Sequence, residues 1–213
     1  MNKLNNFSNL IISAHSIIQD KLSVLRDESS SHSNFRKLLE DISLLLFCEA
    51  SANLELEKSK VKTPLEITEG LHLKNKILLV PILRAGLGMS GEIQKILPDV
   101  RIGIIGIYRN EETLQPVDYY KNFPKDLHHY DIFVLDPMIA TGGSAKYAFD
   151  TLKQHDAENI CMISIISAPE GIKLLEKTHP GIKIYTASLD RQLNDKAFIL
   201  PGLGDAGDRY FGT

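Results

Sequence analysis

With only two cysteines in 213 residues, the chain cannot build a disulfide framework. Cys48 and Cys161 each stand among apolar neighbours, one in a helical pattern and one in a strand pattern. That predicts two buried thiols in a reducing compartment and no disulfide. No basic stretch followed by an apolar core opens the chain, and no apolar run reaches membrane-spanning length. The expected location is therefore cytoplasmic, with no membrane partner. Strong charge of one sign is missing too: a net charge of −3 argues against a general electrostatic grip on nucleic acid, so no nucleic-acid partner is expected. No G-x-x-x-x-G-K-[ST] occurs, which disfavours a triphosphatase P-loop. There is no internal repeat and no low-complexity tract. What remains, 43% hydrophobic with 7% aromatic residues, suits a soluble α/β domain with a sizeable core.

The most informative stretch is VLDPMIATGGSA, Val134 to Ala145. Ile132 to Leu135 read as a strand buried on both faces, and Asp136 is the first polar group beyond its carboxyl end, where open α/β sheets place ligands. Thr141, Gly142, Gly143 and Ser144 follow, and Ala145 to Leu152 read as a helix with Ala148, Phe149 and Leu152 inward. Unpaired N–H groups of a first helical turn point outward, and glycine lets a phosphate oxygen approach them. The plainer reading is a Thr cap on an ordinary strand-to-helix turn. An acid a few residues from a phosphate seat suits a ribose 5-phosphate.

Along the chain, Leu10 to Leu25 and Phe35 to Ala50 carry apolar residues at helical spacing, with Ser29 to Ser33 as the turn between them. Residues 1–60 are thus expected to be a helical N-terminal portion. After Pro64, strands are expected at Ile77 to Leu83, Val100 to Tyr108, Ile132 to Leu135, Ile160 to Ser167 and Lys183 to Ser188. Helices near Ser90 to Leu97, Ala145 to Gln154 and Glu170 to Thr178 separate them. Such alternation predicts right-handed crossovers and a parallel sheet. The connection from Tyr108 to Tyr130 breaks the pattern and is too long for a plain link, which suggests a lid, a binding loop or a dimer contact. Its adjacent His128 and His129 lack the spacing of a zinc pair and are read, with Tyr119 and Tyr120, as packing or exposed residues.

VLDPMIATGGSA resembles the phosphoribosyl pyrophosphate loop of the phosphoribosyltransferases, in the form found in uracil phosphoribosyltransferases. VPILRAGLGM (Val80 to Met89) is similar to that family's pyrophosphate loop, YRNEETLQPV (Tyr108 to Val117) to the start of its flexible arm, and PGLGDAGDRYFGT (Pro201 to Thr213) to its uracil-binding end. KLSVLRD (Lys21 to Asp27) also resembles the family. The resemblance covers nearly the whole chain. It implies one phosphoribosyltransferase domain over residues 1–213: a parallel sheet flanked by helices, a flexible β-hairpin arm at 108–130 and a uracil-binding segment at 190–213. It also implies an enzyme of pyrimidine salvage that converts uracil and 5-phospho-α-D-ribose 1-diphosphate to UMP and diphosphate.

The residues then take implied roles. Asp136, Pro137, Met138, Ile139, Ala140, Thr141, Gly142, Gly143 and Ser144 would hold the sugar phosphate, with Arg84, Arg109 and Asp205. Arg84 follows an apolar strand directly and precedes Ala85-Gly86, so its guanidinium can meet pyrophosphate beside backbone N–H groups. Ile199, Gly204, Asp205 and Ala206 would contact uracil, and Asp205 would orient or accept the N1 proton as the glycosidic bond forms. The commonplace alternatives are surface arginines and a turn-stabilising Asp205. The resemblance implies Mg²⁺ bound mainly through the substrate pyrophosphate, with no protein ligand named. Most phosphoribosyltransferases have a second acid where Pro137 stands, and the uracil branch more often has tyrosine at Phe198. Family members differ in oligomeric state and in activation by GTP. A homo-oligomer is expected, and GTP enters as an allosteric activator only through the family, since no guanine-nucleotide motif is visible. Two other classes remain open: a regulatory RNA-binding protein on the same fold, similar to pyrimidine-operon attenuators, and a catalytically idle nucleotide sensor.

Overall fold

In the computed structural model, residues 7–109 and 116–213 are described. In chain order the elements are β1 (Leu10–Ile12), α1 (Ser16–Arg26), α2 (His32–Ser51), β2 (Leu56–Lys62), β3 (Ile67–Leu73), β4 (Lys76–Leu83), a 3-10 turn at Ala85–Met89 and α3 (Gly91–Ile96). Next come β5 (Arg101–Ile102), β6 (Ile104–Arg109), β7 (Pro116–Asn122), a 3-10 turn at Leu127–His129, β8 (Tyr130–Leu135), β9 (Met138–Ile139), α4 (Gly143–Gln154) and β10 (Asn159–Ser167). The chain ends with α5 (Pro169–Thr178), β11 (Lys183–Leu189), β12 (Gln192–Leu193), β13 (Ile199–Leu200) and α6 (Ala206–Phe211).

The main sheet runs in the order β1-β11-β10-β8-β4-β6-β7, with β5 beside β4 and β9 beside β10. Every pairing in it is parallel except that of β6 with β7. Alternation along the central strands explains why they read as unbroken apolar runs. From β4, Ile77 and Leu79 pack beneath α1, α2 and α3, while Leu78, Val80 and Ile82 face α4 and α5. In β8, Phe133 and Leu135 take the first side, Ile132 and Val134 the second. Each such side chain contributes about 1.5–3 kcal/mol when fully buried, so a polar residue placed within Ile77–Ile82 or Ile132–Leu135 would face core on one side or the other.

The expected central strands and the helices between them are all present, within a few residues of their predicted ends. The N-terminal portion differs. Leu10–Ile12 is not helix: it extends the sheet, pairing in parallel with Ile184 to Thr186 of β11, and α1 starts only at Ser16. Three consecutive apolar residues satisfy their backbone on an open sheet edge, whereas a helix would leave one of them facing water. Residues 1–60 also run past the helices, because α2 ends at Ser51 and β2 is paired with β3 from Leu56 onward. LEKSKVK has too little apolar character to mark this antiparallel hairpin in the sequence; a salt bridge at Lys58–Glu69 spans its strands and one at Glu55–Lys74 closes its base. Within the 108–130 connection, β7 pairs antiparallel with β6, while residues 110–115, at the tip of the expected arm, lie outside the described residues.

The cysteines divide. Cys161 is half-buried, and desolvation pushes its thiol up to about 12. Cys48, by contrast, is exposed on the outer face of α2, the opposite of its expected burial. A helix wound against the core on one side turns every third or fourth residue outward, whatever its hydrophobicity. Among the described residues no helix is long and apolar enough to cross a membrane.

Candidate active site

β4 and β8 are direct neighbours, and both run their carboxyl ends to the same edge of the sheet. From β8 the chain passes Asp136, forms the short β9, and turns at Thr141-Gly142 into α4. Gly142 caps this helix with φ +81°, and a Cβ there would lie 2.8 Å from the Gly171 carbonyl oxygen. Gly171, in α5, is equally confined: its Cβ would meet the Ala140 carbonyl at 2.5 Å. Two backbones thus touch where the Thr141–Ser144 turn rests on α5, a contact that only glycine permits. The role of Gly171 could not be read from its surroundings in the sequence, since a lone glycine inside a helix carries no such signal.

A cavity of about 340 Å³ opens over this turn. It is lined by Asp136, Met138 to Ala145 and, from the far end of the chain, Asp205. Pro137 is not among its walls: it is buried, and its carbonyl accepts the N–H groups of Ile165 and Ile166, both at 3.1 Å. Asp136 accepts the Met138 N–H at 3.2 Å, and desolvation at the cavity floor pushes its carboxyl up to about 7. A carboxylate with a single short backbone partner there has lone pairs to offer a ligand hydroxyl.

A second cavity, of about 500 Å³, shares Met138, Ala140 and Asp205 with the first. Its other walls are Lys196 to Gly204, including Ile199, the exposed Phe198 ring and Gly204 at φ +78°. Ala206 lies next to Asp205 but is fully buried as the first residue of α6, and it lines neither cavity. Asp205 is the cap of that helix, accepting the Asp208 N–H at 2.9 Å. Its turn-stabilising role is therefore real, and the residue still opens onto both cavities.

Arg84 leaves β4 after the cis Leu83–Arg84 peptide and pairs with Asp208 at 3.2 Å. A Cβ on Gly207 would lie 3.2 Å from Asp205 Oδ1 and 3.8 Å from Arg84 Nη2, so the arginine and the acid flank the same small residue. Behind them, Gly86 packs so tightly that a Cβ would meet the Leu135 carbonyl oxygen at 2.2 Å, joining the turn after β4 to the end of β8. Arg109 ends β6, and its side chain lies outside the described residues. His128 and His129 are exposed, with rings 3.9 Å apart, and no group of three or more potential ligands among the described residues could hold a metal ion.

The segment that builds the second cavity is tied to α1 by a network that was not anticipated. Arg26 donates to Asp190 through both terminal nitrogens, at 2.8 and 2.5 Å, and to the Gly202 carbonyl at 2.6 Å. Asp190 also accepts the Ser188 hydroxyl at 2.7 Å and the Gly202 N–H at 2.9 Å. Burial works to raise its pKa, but these hydrogen bonds and the guanidinium hold it below the usual carboxylate value. Arg209 stacks over Phe35 at 4.4 Å and donates to the carbonyls of Leu25, Leu203 and Asp27. KLSVLRD was the available signal, because it ends in the residues that make these contacts.

The model of the family described as "Uracil phosphoribosyltransferase" matches residues 12–213. A uracil phosphoribosyltransferase of Streptococcus mutans is 50% identical over 203 residues, 95% of this chain and 97% of that protein. One from Salinibacter ruber is 45% identical over 205 residues, covering 96% and 98%. Among solved structures, a protein of Aquifex aeolicus superposes with a TM-score of 0.91 at 35% identity over 96% of this chain and 98% of its own. The adenine phosphoribosyl transferase of Trypanosoma brucei, solved with AMP, pyrophosphate and ribose-5-phosphate, gives 0.56 at 12% identity, covering 96% and 92%, which speaks for the fold alone. The family match runs through β4, the phosphate turn and the C-terminal loop that share these cavities, and it joins them in one lineage: the chain belongs to the uracil phosphoribosyltransferase family.

Proposed function

We propose that this protein transfers the 5-phosphoribosyl group of 5-phospho-α-D-ribose 1-diphosphate to N1 of uracil, releasing diphosphate and forming UMP. The observation that carries the reading is the pair of adjoining cavities with Met138, Ala140 and Asp205 in common, one over a helix-opening glycine turn and one walled by the C-terminal loop. Their junction is where the carbon that changes partners belongs. In this reading the Thr141 to Ser144 turn binds the 5-phosphate through N–H and hydroxyl donors, and Asp136 accepts from the ribose hydroxyls. Arg84 and Arg109 neutralise the diphosphate as the C1–O bond breaks. The N1 lone pair forms the new C1–N bond, and the N1 proton passes toward Asp205. Ile199 and Gly204 pack against the pyrimidine, with Phe198 supplying a ring but no hydroxyl.

The donor set fits Mg²⁺ carried by the substrate: two carboxylates, Asp136 and Asp205, line the first cavity and can meet the ion's waters or the ribose hydroxyls. When bound, the ion would spread the negative charge of the leaving group. A homo-oligomer is also part of the reading, supported by Leu56, Leu65, Ile67 and Leu71, which the β2–β3 hairpin leaves exposed. Sedimentation velocity would report it.

The deciding experiment incubates the purified protein with the diphosphate donor and Mg²⁺ and follows pyrophosphate and nucleotide formation with uracil, orotate, hypoxanthine, xanthine or adenine, with and without GTP. UMP formation confined to uracil is the expected result, and the GTP arm reads allosteric activation directly. Turnover with another base, or none with uracil, overturns the assignment.

A further inference from the structure

We propose that Arg26 and Asp190 are positioning residues for the base site, acting through the Gly202 peptide; the inference rests on the uracil-transfer reading above. Neither residue lines the base cavity, yet together they hold both polar groups of Gly202, a residue that does line it. The carboxylate of Asp190 takes the Gly202 N–H at 2.9 Å, and Arg26 takes the Gly202 carbonyl at 2.6 Å. The ion pair is bidentate and enclosed, with the Asp190 side chain 2% exposed and that of Arg26 21%. Gly202 has φ +70°, and a Cβ there would strike the Ile199 carbonyl oxygen at 2.2 Å, so the turn is already compact and the clamp removes its remaining freedom.

One residue on, Arg209 takes the Leu203 carbonyl at 2.8 Å while its guanidinium also binds the Leu25 carbonyl, adjacent to Arg26. The carbonyls of Gly202 and Leu203 are thereby committed to arginines anchored at the end of α1. Hydrogen bonding to a flat base then falls to the backbone at Gly204 and Asp205, whose placement follows from the peptides before them. Among the described residues, no hydrogen bond of this kind joins Gly142, Gly143 or Ser144 to α1. Loosening the clamp therefore acts first on uracil and reaches the donor cavity only through Asp205, which lines both, whereas a general loss of packing acts on both alike.

Arg26→Lys keeps a positive charge but cannot make the fork, and Asp190→Asn keeps the shape but not the charge. Each is expected to raise KM for uracil by tenfold or more at saturating donor, with a rise in KM for the donor severalfold smaller. Amide hydrogen exchange in the free protein is expected to quicken in residues 202–205 and to stay unchanged in 138–145. Ser188→Ala, which removes one hydrogen bond to Asp190 and leaves the ion pair, gives a smaller shift of the same kind and serves if either charge variant fails to fold. Equal increases in both KM values, or wild-type kinetics and exchange with only a lower Tm, would overturn the proposal. A wild-type protein that does not turn over uracil would instead remove the functional reading, and the exchange comparison would still decide whether the clamp orders the loop.

Discussion

Replacing Asp136 by asparagine should make the protein more stable at alkaline pH while removing its activity. The carboxyl lies in surroundings that favour its neutral form, with the pKa raised from 3.8 to about 7. Below the unfolded value, both states carry the proton and nothing is lost. Between 3.8 and about 7 the folded chain keeps a proton that the unfolded chain has released, so stability falls as pH rises through this window and reaches its floor above it. About three pK units correspond to about 4 kcal/mol as an upper bound, and water in the open cavity reduces the expected share to about 1–2 kcal/mol. Asparagine keeps an oxygen to accept the Met138 N–H and carries no charge. For a chain of this size that gain raises Tm by about 2–8 °C at pH 8 and by much less at pH 5. Thermal denaturation of both proteins from pH 5 to 8, beside UMP formation, is the assay. An asparagine variant less stable at pH 8, or a Tm difference that does not grow with pH, would show that the carboxylate is not held at an energetic cost in the folded state.

Asp205→Asn should lower turnover severalfold or more with Tm nearly unchanged, because asparagine caps a helix as well as aspartate does; Asp205→Ala should also lose about 1 kcal/mol in denaturant unfolding. Arg84→Ala should weaken use of the diphosphate donor in steady-state kinetics. Its pairing with Asp208 is exposed, so denaturation should move little. Gly142→Ala forces a side chain into φ +81° against the Gly171 carbonyl and should cost about 1–3 kcal/mol, along with donor binding measured by calorimetry. A thiol reagent at pH 8 should label Cys48 in the native protein and leave Cys161 unmodified until it unfolds, which mass spectrometry of the digested protein resolves.

The central sheet was legible because β4, β8 and β10 are covered on both faces and so write themselves as apolar runs, each followed by a connection with its own chemistry. The β2–β3 hairpin was not, since LEKSKVK and ITEGLHL stand away from the core and carry no alternation. Leu10–Ile12 misled for the opposite reason: three apolar residues beside an amphipathic helix fit its period, and only the edge of β11 makes them a strand. In the site, the turn from Asp136 to Ser144 could be read as a unit because its residues are contiguous. Arg26 and Asp190 could not, being 164 positions apart and meeting only after α1 has packed against the C-terminal loop. The Pro137 side chain shows a further limit, for a residue inside a contiguous turn can pack into the core while its neighbours line a cavity.

The contact between Gly86 and the Leu135 carbonyl makes the site a gauge of fixed width. Its two jaws, the turn after β4 and the turn after β8, rise from adjacent strands and are pressed together with no side chain between them. The spacing between the ends of any sugar phosphate held there is set by the pitch of the sheet, which no surface substitution alters. Under the proposed reading, the choice of acceptor falls to the C-terminal loop, while the length of the donor that fits is fixed by the backbone.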